Sequence, residues 1–446
     1  MSTTPIKNQN DLIDYAGTLD CIHCGLCLET CPTYTLTGVE TSSPRGRVHL
    51  MRAVAEEQIE NDAEFRDEME FCLVCRHCES VCPAGIRMGE MMSVTRDAMY
   101  QSSPRTVVER LARYIGFRLL LPSRTALRIT SSLLRIGQKT GLIRFLVRNS
   151  PFAKNQLAAL NALPTIPDAN KRGLLPALIP ASVSASQSQS PPQRAALFEG
   201  CVMPELYSEV NHATAQVITR LGVEVHTTKS SVCCGALHAH NGDLEEARDL
   251  ARKLIVSYEK LGDKESADDF PIVVNSAGCS AHMKEYAHLF ETDDPWHARA
   301  TRISERVVDF SEYVHPLLEN SKLKLHSTEQ GPVTWDNPCH LCHGQGIRKQ
   351  PLSILESVEF AKGGFVDLDD SESCCGSAGI YSALRPDDST AILAPKLDAL
   401  ELSGAKLLVT ANPGCQLQWQ SGIANREMGV KVKHLAQVLA DALPSD

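Results

Sequence analysis

The chain has 446 residues, 43% of them hydrophobic, and a formal net charge of -10. At roughly 100–200 residues per domain that length supports several folded units, and the acidic balance excludes a general nucleic-acid binder. Cysteine is abundant, at 17 residues, and in a reducing compartment so many thiols point to metal ligation or redox chemistry rather than disulfides.

The N-terminal stretch MSTTPIKNQNDLIDYAG lacks a basic start followed by an apolar core. No apolar run in the chain approaches the roughly 18–20 residues needed to span a bilayer. These features predict a cytoplasmic protein, with any membrane contact peripheral, at the inner face of the cytoplasmic membrane.

Eight cysteines fall in two runs, CIHCGLCLETCP and CLVCRHCESVCP, each with the spacing C-x2-C-x2-C-x3-C-P. Three thiolates two residues apart can wrap one corner-to-corner cube on a tight loop, while the fourth, held by the following proline, points to the other cluster. On that logic Cys21, Cys24, Cys27 and Cys82 hold one 4Fe-4S cluster, and Cys72, Cys75, Cys78 and Cys31 hold the second. Zinc knuckles normally take their ligands as two pairs, which fits neither run. Residues 45–70 between the runs show helical periodicity and no strand alternation, so the expected unit over residues 1–100 is an α-helical ferredoxin domain. Arg45, Arg47 and Arg76 lie close to the ligands in sequence, either as solvated surface groups or as charges that raise the cluster potentials.

Residues 105–148 carry ten Arg or Lys and one acid, Glu109, with Leu, Ile and Phe interleaved. Within a 101–180 segment expected to be basic, amphipathic and helical, this stretch suits an anionic headgroup layer, an acidic partner subunit, or simple packing as a linker. The run ASVSASQSQSPPQ, residues 181–193, reads as a flexible boundary.

Beyond it the chain repeats itself. Cys201 returns as Cys339, the Cys233-Cys234-Gly235 turn as Cys374-Cys375-Gly376, and Cys279 as Cys415. Apolar strands (AALFEGC and VTWDNPC, VEVHTT and GFVDLDD, PIVVNSAGC and KLLVTANPGC) alternate with helical stretches, which predicts a duplicated parallel α/β domain, 194–325 and 326–446. Ligands at the carboxyl ends of adjacent strands converge in one crevice. Each copy therefore offers a candidate iron-sulfur site: Cys201, Cys233, Cys234 and Cys279 in the first, Cys339, Cys374, Cys375 and Cys415 in the second. Cys342 is an extra thiol outside the repeat, and His238, His240, His282 and His340 lie near the motifs. No G-x-G-x-x-G follows a strand, so no dinucleotide site is expected and no catalytic residue is assigned.

The order of two ferredoxin runs followed by two CCG domains resembles the iron-sulfur subunits that pass electrons from flavoproteins towards quinones or disulfides. The stretches HCGLCLETCPTY, SPRGR, CRHCESVCP, LFEGC, GCSAHMKEY and TANPGC look most like the glycolate oxidase iron-sulfur subunit family. The resemblance implies an electron-relay subunit, inactive alone, working with FAD-containing subunits that oxidise glycolate and with the membrane quinone pool. Iron-sulfur subunits of lactate or glycerol 3-phosphate dehydrogenases share much of the arrangement. A thiol- or disulfide-reducing subunit of the heterodisulfide reductase type is a further alternative. That type closes its motif with C-x-x-C, whereas this chain has His282 and Gln418 at the corresponding places, so the five-cysteine cluster of that family is not expected.

Overall fold

The computed structural model describes residues 14–102, 106–143, 145, 165–182, 193–228, 233–261, 270–321 and 323–444. The expected linker at 181–193 lies almost wholly outside the described residues. No helix among them is long and apolar enough to cross a membrane.

The N-terminal part is helical. Ser43 caps the helix Pro44–Ala55 by accepting from the Gly46 amide, with Pro44 in the first turn where its missing N–H costs nothing. Asp62 caps Ala63–Phe71 in the same way. These helices and Met88–Ser102 close on a core rich in methionine, including Met51, Met69, Met88, Met91, Met92 and Met99. Unbranched thioether side chains fill irregular gaps between loops and helices.

The helices Val107–Arg113 and Arg124–Lys139 follow. Residues 165–182, expected to continue this helical segment, instead run as largely irregular chain. Their only strand, β1 (Leu178–Ile179), pairs antiparallel with β3 (Val223–Thr227) of the first repeat. The remaining strands of that repeat are β2 (Gln193–Phe198), β4 (Ile272–Val274) and β5 (Val307–Asp309), and the sheet runs β1-β3-β2-β4-β5, parallel apart from β1. Interior strand β4, between β2 and β5, is buried at every residue, as a parallel strand covered on both faces must be, while β3 alternates buried and half-buried.

The second repeat contains β6 (Leu325–Gln330), β7 (Val333–Trp335), β8 (Val358–Lys362), β9 (Leu407–Thr410) and β10 (Lys431–His434). It forms a parallel sheet β10-β9-β7 and a separate parallel pair β6-β8. The strand expected at GFVDLDD does not form. Gly363 and Gly364 both take positive φ, and only an isolated bridge between Val333 and Phe365 marks the place that β3 fills in the first copy.

The two repeats share one hydrophobic core. It joins Val217, Val225 and Val273 of the first copy to Trp335, Val409 and Leu439 of the second. His434, fully buried at this junction, accepts from the Ala436 amide through Nδ1 (3.1 Å) and donates from Nε2 to the Asn275 carbonyl of the other copy (3.0 Å). Burial pulls its pKa down to about 4, so the neutral ring is the form the fold holds. Because the folded value lies below the ordinary imidazole value of about 6.5, this contribution is whole above that pH and is lost as pH falls through it towards 4. His434→Ala should therefore cost about 1–3 kcal/mol at pH 7. It should also flatten the loss of stability between pH 7 and pH 5, as measured by denaturant unfolding of the two proteins side by side.

Candidate metal centres

Both ferredoxin runs form loops of the same shape. In the first, His23 (φ 55°) and Gly25 (φ 85°) take left-handed backbone, and in the second Val74 (φ 52°) and Arg76 (φ 65°) do so at the equivalent places. A β-branched residue there is a genuine outlier, of order 1–3 kcal/mol, held only by surroundings that over-determine it. Glycine in the first run was the one visible signal of this geometry, and nothing in the sequence marks Val74 or Arg76.

The loops bring the expected thiols together. One small, mostly apolar cavity is lined by Cys21, Cys24, Cys27 and Cys82, with Cys78 also reaching it. A second is lined by Cys31, Cys72, Cys75 and Cys78. The crossing of Cys82 and Cys31 between the loops is thus a property of the fold. Four sulfurs around a dry cavity match the ligand chemistry of a 4Fe-4S cube.

The three arginines have separate fates. Arg45 lines the first cavity, half exposed, paired with Glu40 and donating to the His23 carbonyl at 3.1 Å. Arg76 bridges Glu79 and Glu285, at 2.9 and 2.8 Å. Arg47 is 1% exposed and lines the second cavity, donating to Thr33 Oγ1 (3.0 Å), the Ser42 carbonyl (2.7 Å) and the Glu68 carbonyl (2.8 Å). Burial pushes the Cys31 thiol up, and the Arg47 charge offsets part of that rise.

The CCG quartets also converge. The thiol of Cys233 is hydrogen-bonded by Cys201 and Cys234 and is held well below the ordinary thiol value, while those two are pushed up and Cys234 reaches on to Cys279. In the second copy Cys375 is the acidic thiol, bonded by Cys374 and Cys415, and Cys374 also meets Cys339. Gly235 and Gly376, with φ of 88° and 81°, keep each turn tight. A Cβ on Gly376 would come within 2.6 Å of the Ser389 carbonyl oxygen. The last cysteine of each set sits in the first turn of a helix, Ala277–Lys284 or Pro413–Asn425.

The copies differ around this common frame. In the first, His238 lies against Cys233, and the buried Nε2 of His282 has no hydrogen-bond partner and lies 3.5 Å from where a Cβ on Gly235 would stand. In the second, the buried Lys396 pairs with Asp336 at 2.9 Å and donates to the carbonyls of Asp370, Ser371 and Ser373. Its charge also acts on Cys375. Cys342 stays apart as a buried thiol donating to the Cys339 carbonyl. His340 donates to the Val74 carbonyl at 2.9 Å, and His240 packs edge-on against it.

One contact was invisible in the sequence: Cys75 and Cys374 pack together in one buried cluster. Together with Phe71, Leu73, Tyr381 and Ile392 they form a shared apolar seam. The second ferredoxin cavity and the second CCG set therefore meet across this seam.

Two matched ferredoxin loops joined to two copies of a cysteine-rich α/β domain define an iron-sulfur protein of the dicluster and CCG class. Residues 17–86 match the 4Fe-4S dicluster domain, and residues 195–284 and 333–420 each match the cysteine-rich CCG domain. The chain is 34% identical to the probable glycolate oxidase iron-sulfur subunit of Bacillus subtilis over 98% of its length and 97% of that protein. It is 31% identical to the glycolate oxidase iron-sulfur subunit of Escherichia coli over 96% of its length and 94% of the relative. Lactate utilization protein A of Bacillus subtilis matches at 26% over 55% of the chain and 98% of that protein. The chain belongs to the glycolate oxidase iron-sulfur subunit family.

Replacing the buried Arg47 removes a positive charge and three donated hydrogen bonds. Arg47→Met should shift one of two cluster signals to a more negative midpoint potential and leave the other in place, as read by redox titration with electron paramagnetic resonance.

Proposed function

We propose that this chain is the electron-relay subunit of a flavin-dependent 2-hydroxy acid oxidase, with glycolate as the substrate of its FAD-bearing partners and a quinone as the final acceptor. In this reading Cys21, Cys24, Cys27 and Cys82 hold one 4Fe-4S cluster, and Cys31, Cys72, Cys75 and Cys78 the other. Each CCG quartet offers a further site of four thiolates. When bound, such clusters supply one-electron transfer and no hydride chemistry, which is the reason a flavin partner is required.

The observation that carries the reading is the packing of Cys75 with Cys374 in one buried cluster. It makes the dicluster domain and the second CCG copy one continuous run of sulfur sites. The protein's own residues do the rest. Arg47 and Lys396 place buried positive charge beside sulfur in two of the sites, and Arg76, paired with Glu285, ties the cluster domain to the first CCG copy. For the organisation of the chain we propose a cluster domain over 1–100 and CCG copies over 194–325 and 326–446, with residues 165–182 assigned to the first copy rather than to the preceding helices.

The test is a set of anaerobically prepared proteins. Cys24→Ser and Cys75→Ser should each remove one of two 4Fe-4S clusters by iron and sulfide analysis, and zinc in place of iron would refute the assignment. The isolated, flavin-free chain should not turn over glycolate and should gain activity only with its FAD-containing partners. Turnover by the chain alone would overturn the relay reading.

A further inference from the structure

One helix of this protein is turned inside out. Arg124–Lys139 is strongly amphipathic, yet its polar side faces the protein. Ser131 is buried and donates to Glu205 Oε2 (3.2 Å), Arg172 bonds both of them, and Arg135 pairs with Asp168. The outward stripe at i, i+4 and i+7 is aliphatic: Ile129, Leu133 and Ile136 are 58%, 64% and 59% exposed. Surface helices ordinarily do the reverse. The stripe does not stand alone, because eleven of the 20 exposed large apolar side chains among the described residues lie between positions 107 and 145, Leu111 and Phe145 included.

The charge around it is equally one-sided. In a chain of net charge -10, residues 105–148 hold ten basic groups and one acid, and no acid follows Glu109 until Asp168. Arg128 and Lys139, both exposed, stand at the margins of the stripe. Protein interfaces mix a few anchoring side chains with a rim of paired polar groups. Asp168, paired with Lys139 at 3.5 Å, is the one acid at this border, and an aliphatic face bordered by an excess of cations is the composition of helices that lie in the headgroup layer of a bilayer.

We infer that the helices Val107–Arg113 and Arg124–Lys139 seat the protein on an anionic lipid surface. Aliphatic side chains enter the acyl boundary, and the exposed Arg110, Arg128 and Lys139 meet headgroup phosphates. The inference rests on the relay reading for its purpose, delivery to an acceptor dissolved in the bilayer, but not for its geometry. Arg135 is spent inside the protein and Arg128 lies within 4.0 Å of Glu205, so the aliphatic stripe is the feature to disrupt.

The experiment is flotation of the full-length, anaerobically prepared protein with vesicles of phosphatidylcholine, with and without one third phosphatidylglycerol. Wild type should float with the anionic vesicles, less so at high salt, and far less with neutral ones. Ile129→Asp with Leu133→Asp should lower the bound fraction roughly tenfold, a change of about 1.4 kcal/mol. The variant's cluster absorbance should be unchanged, and Leu133→Ala should give an intermediate loss. Failure of wild type to float, or equal flotation of the double variant, overturns the inference. So does loss of binding to the FAD-containing partners in the variant with vesicle binding intact, since the face would then be a protein interface. Reduction of a soluble dye by the assembled complex is scored in parallel, because the relay reading fails only if that is lost in wild type, whatever the vesicles show.

Discussion

The constraint on which this structure depends is that the cluster domain and the paired CCG copies must hold their cysteine sets in fixed relation, and one guanidinium joins the cluster domain to the first copy. Arg96, on the last helix of the cluster domain, donates to the carbonyls of Met69 and Cys72 at the mouth of the second ferredoxin loop. It also donates to the His240 carbonyl of the first CCG copy at 2.7 Å. A planar, always-charged fork can satisfy several carbonyls at once, which no lysine could do with the same rigidity. Around it stand Asp97 accepting from the Leu244 amide, Arg76 paired with Glu285, and Arg118 paired with Asp243 and Glu246. The seam is polar and directional, suited to fixing register. The seam to the second copy mixes an apolar cluster that includes Cys75 and Cys374 with the Arg385–Asp67 ion pair and the bond of His340 to the Val74 carbonyl.

Duplication has given two copies with one frame and two different surroundings. Because they share a hydrophobic core, neither copy folds against water on its inner face. Their cysteine-bearing helices also meet, through Ala277 donating to the Ala411 carbonyl and Gly278 donating to Asn412. What differs is the charge close to the thiols. The first copy has imidazoles nearby, with His282 lowered to about 4 by burial, and the second has the Lys396 ammonium. In the proposed reading, two like sets of four cysteines in such unlike fields would be tuned apart by their neighbours rather than by their ligands.

Ligand-bearing parts of the fold were legible because cysteine spacing is a local property: C-x2-C-x2-C-x3-C-P states which thiols share a loop, and its proline states which one leaves. The repeat was legible for the same reason, since strand, cysteine and CCG turn recur in order. What stayed hidden was set by tertiary context. Arg47 looks like any helix-surface arginine, and only the carbonyls of Ser42 and Glu68 make its burial affordable. The strand expected at GFVDLDD was lost to two left-handed glycines, a backbone choice that composition suggests but register decides. For residues 105–148 the periodicity gave an amphipathic helix, but which side meets solvent depended on Glu205 and Asp168, far along the chain.

The buried cluster that Cys75 and Cys374 share has a consequence for control in the proposed relay. Where two redox sites are separated by a charged side chain, that side chain can be a gate, moved by a ligand, a proton or a modification. The side chains packed with these two cysteines are Phe71, Leu73, Tyr381 and Ile392, none of them charged. Control by charge then falls to the places where the donor docks or where the acceptor is met.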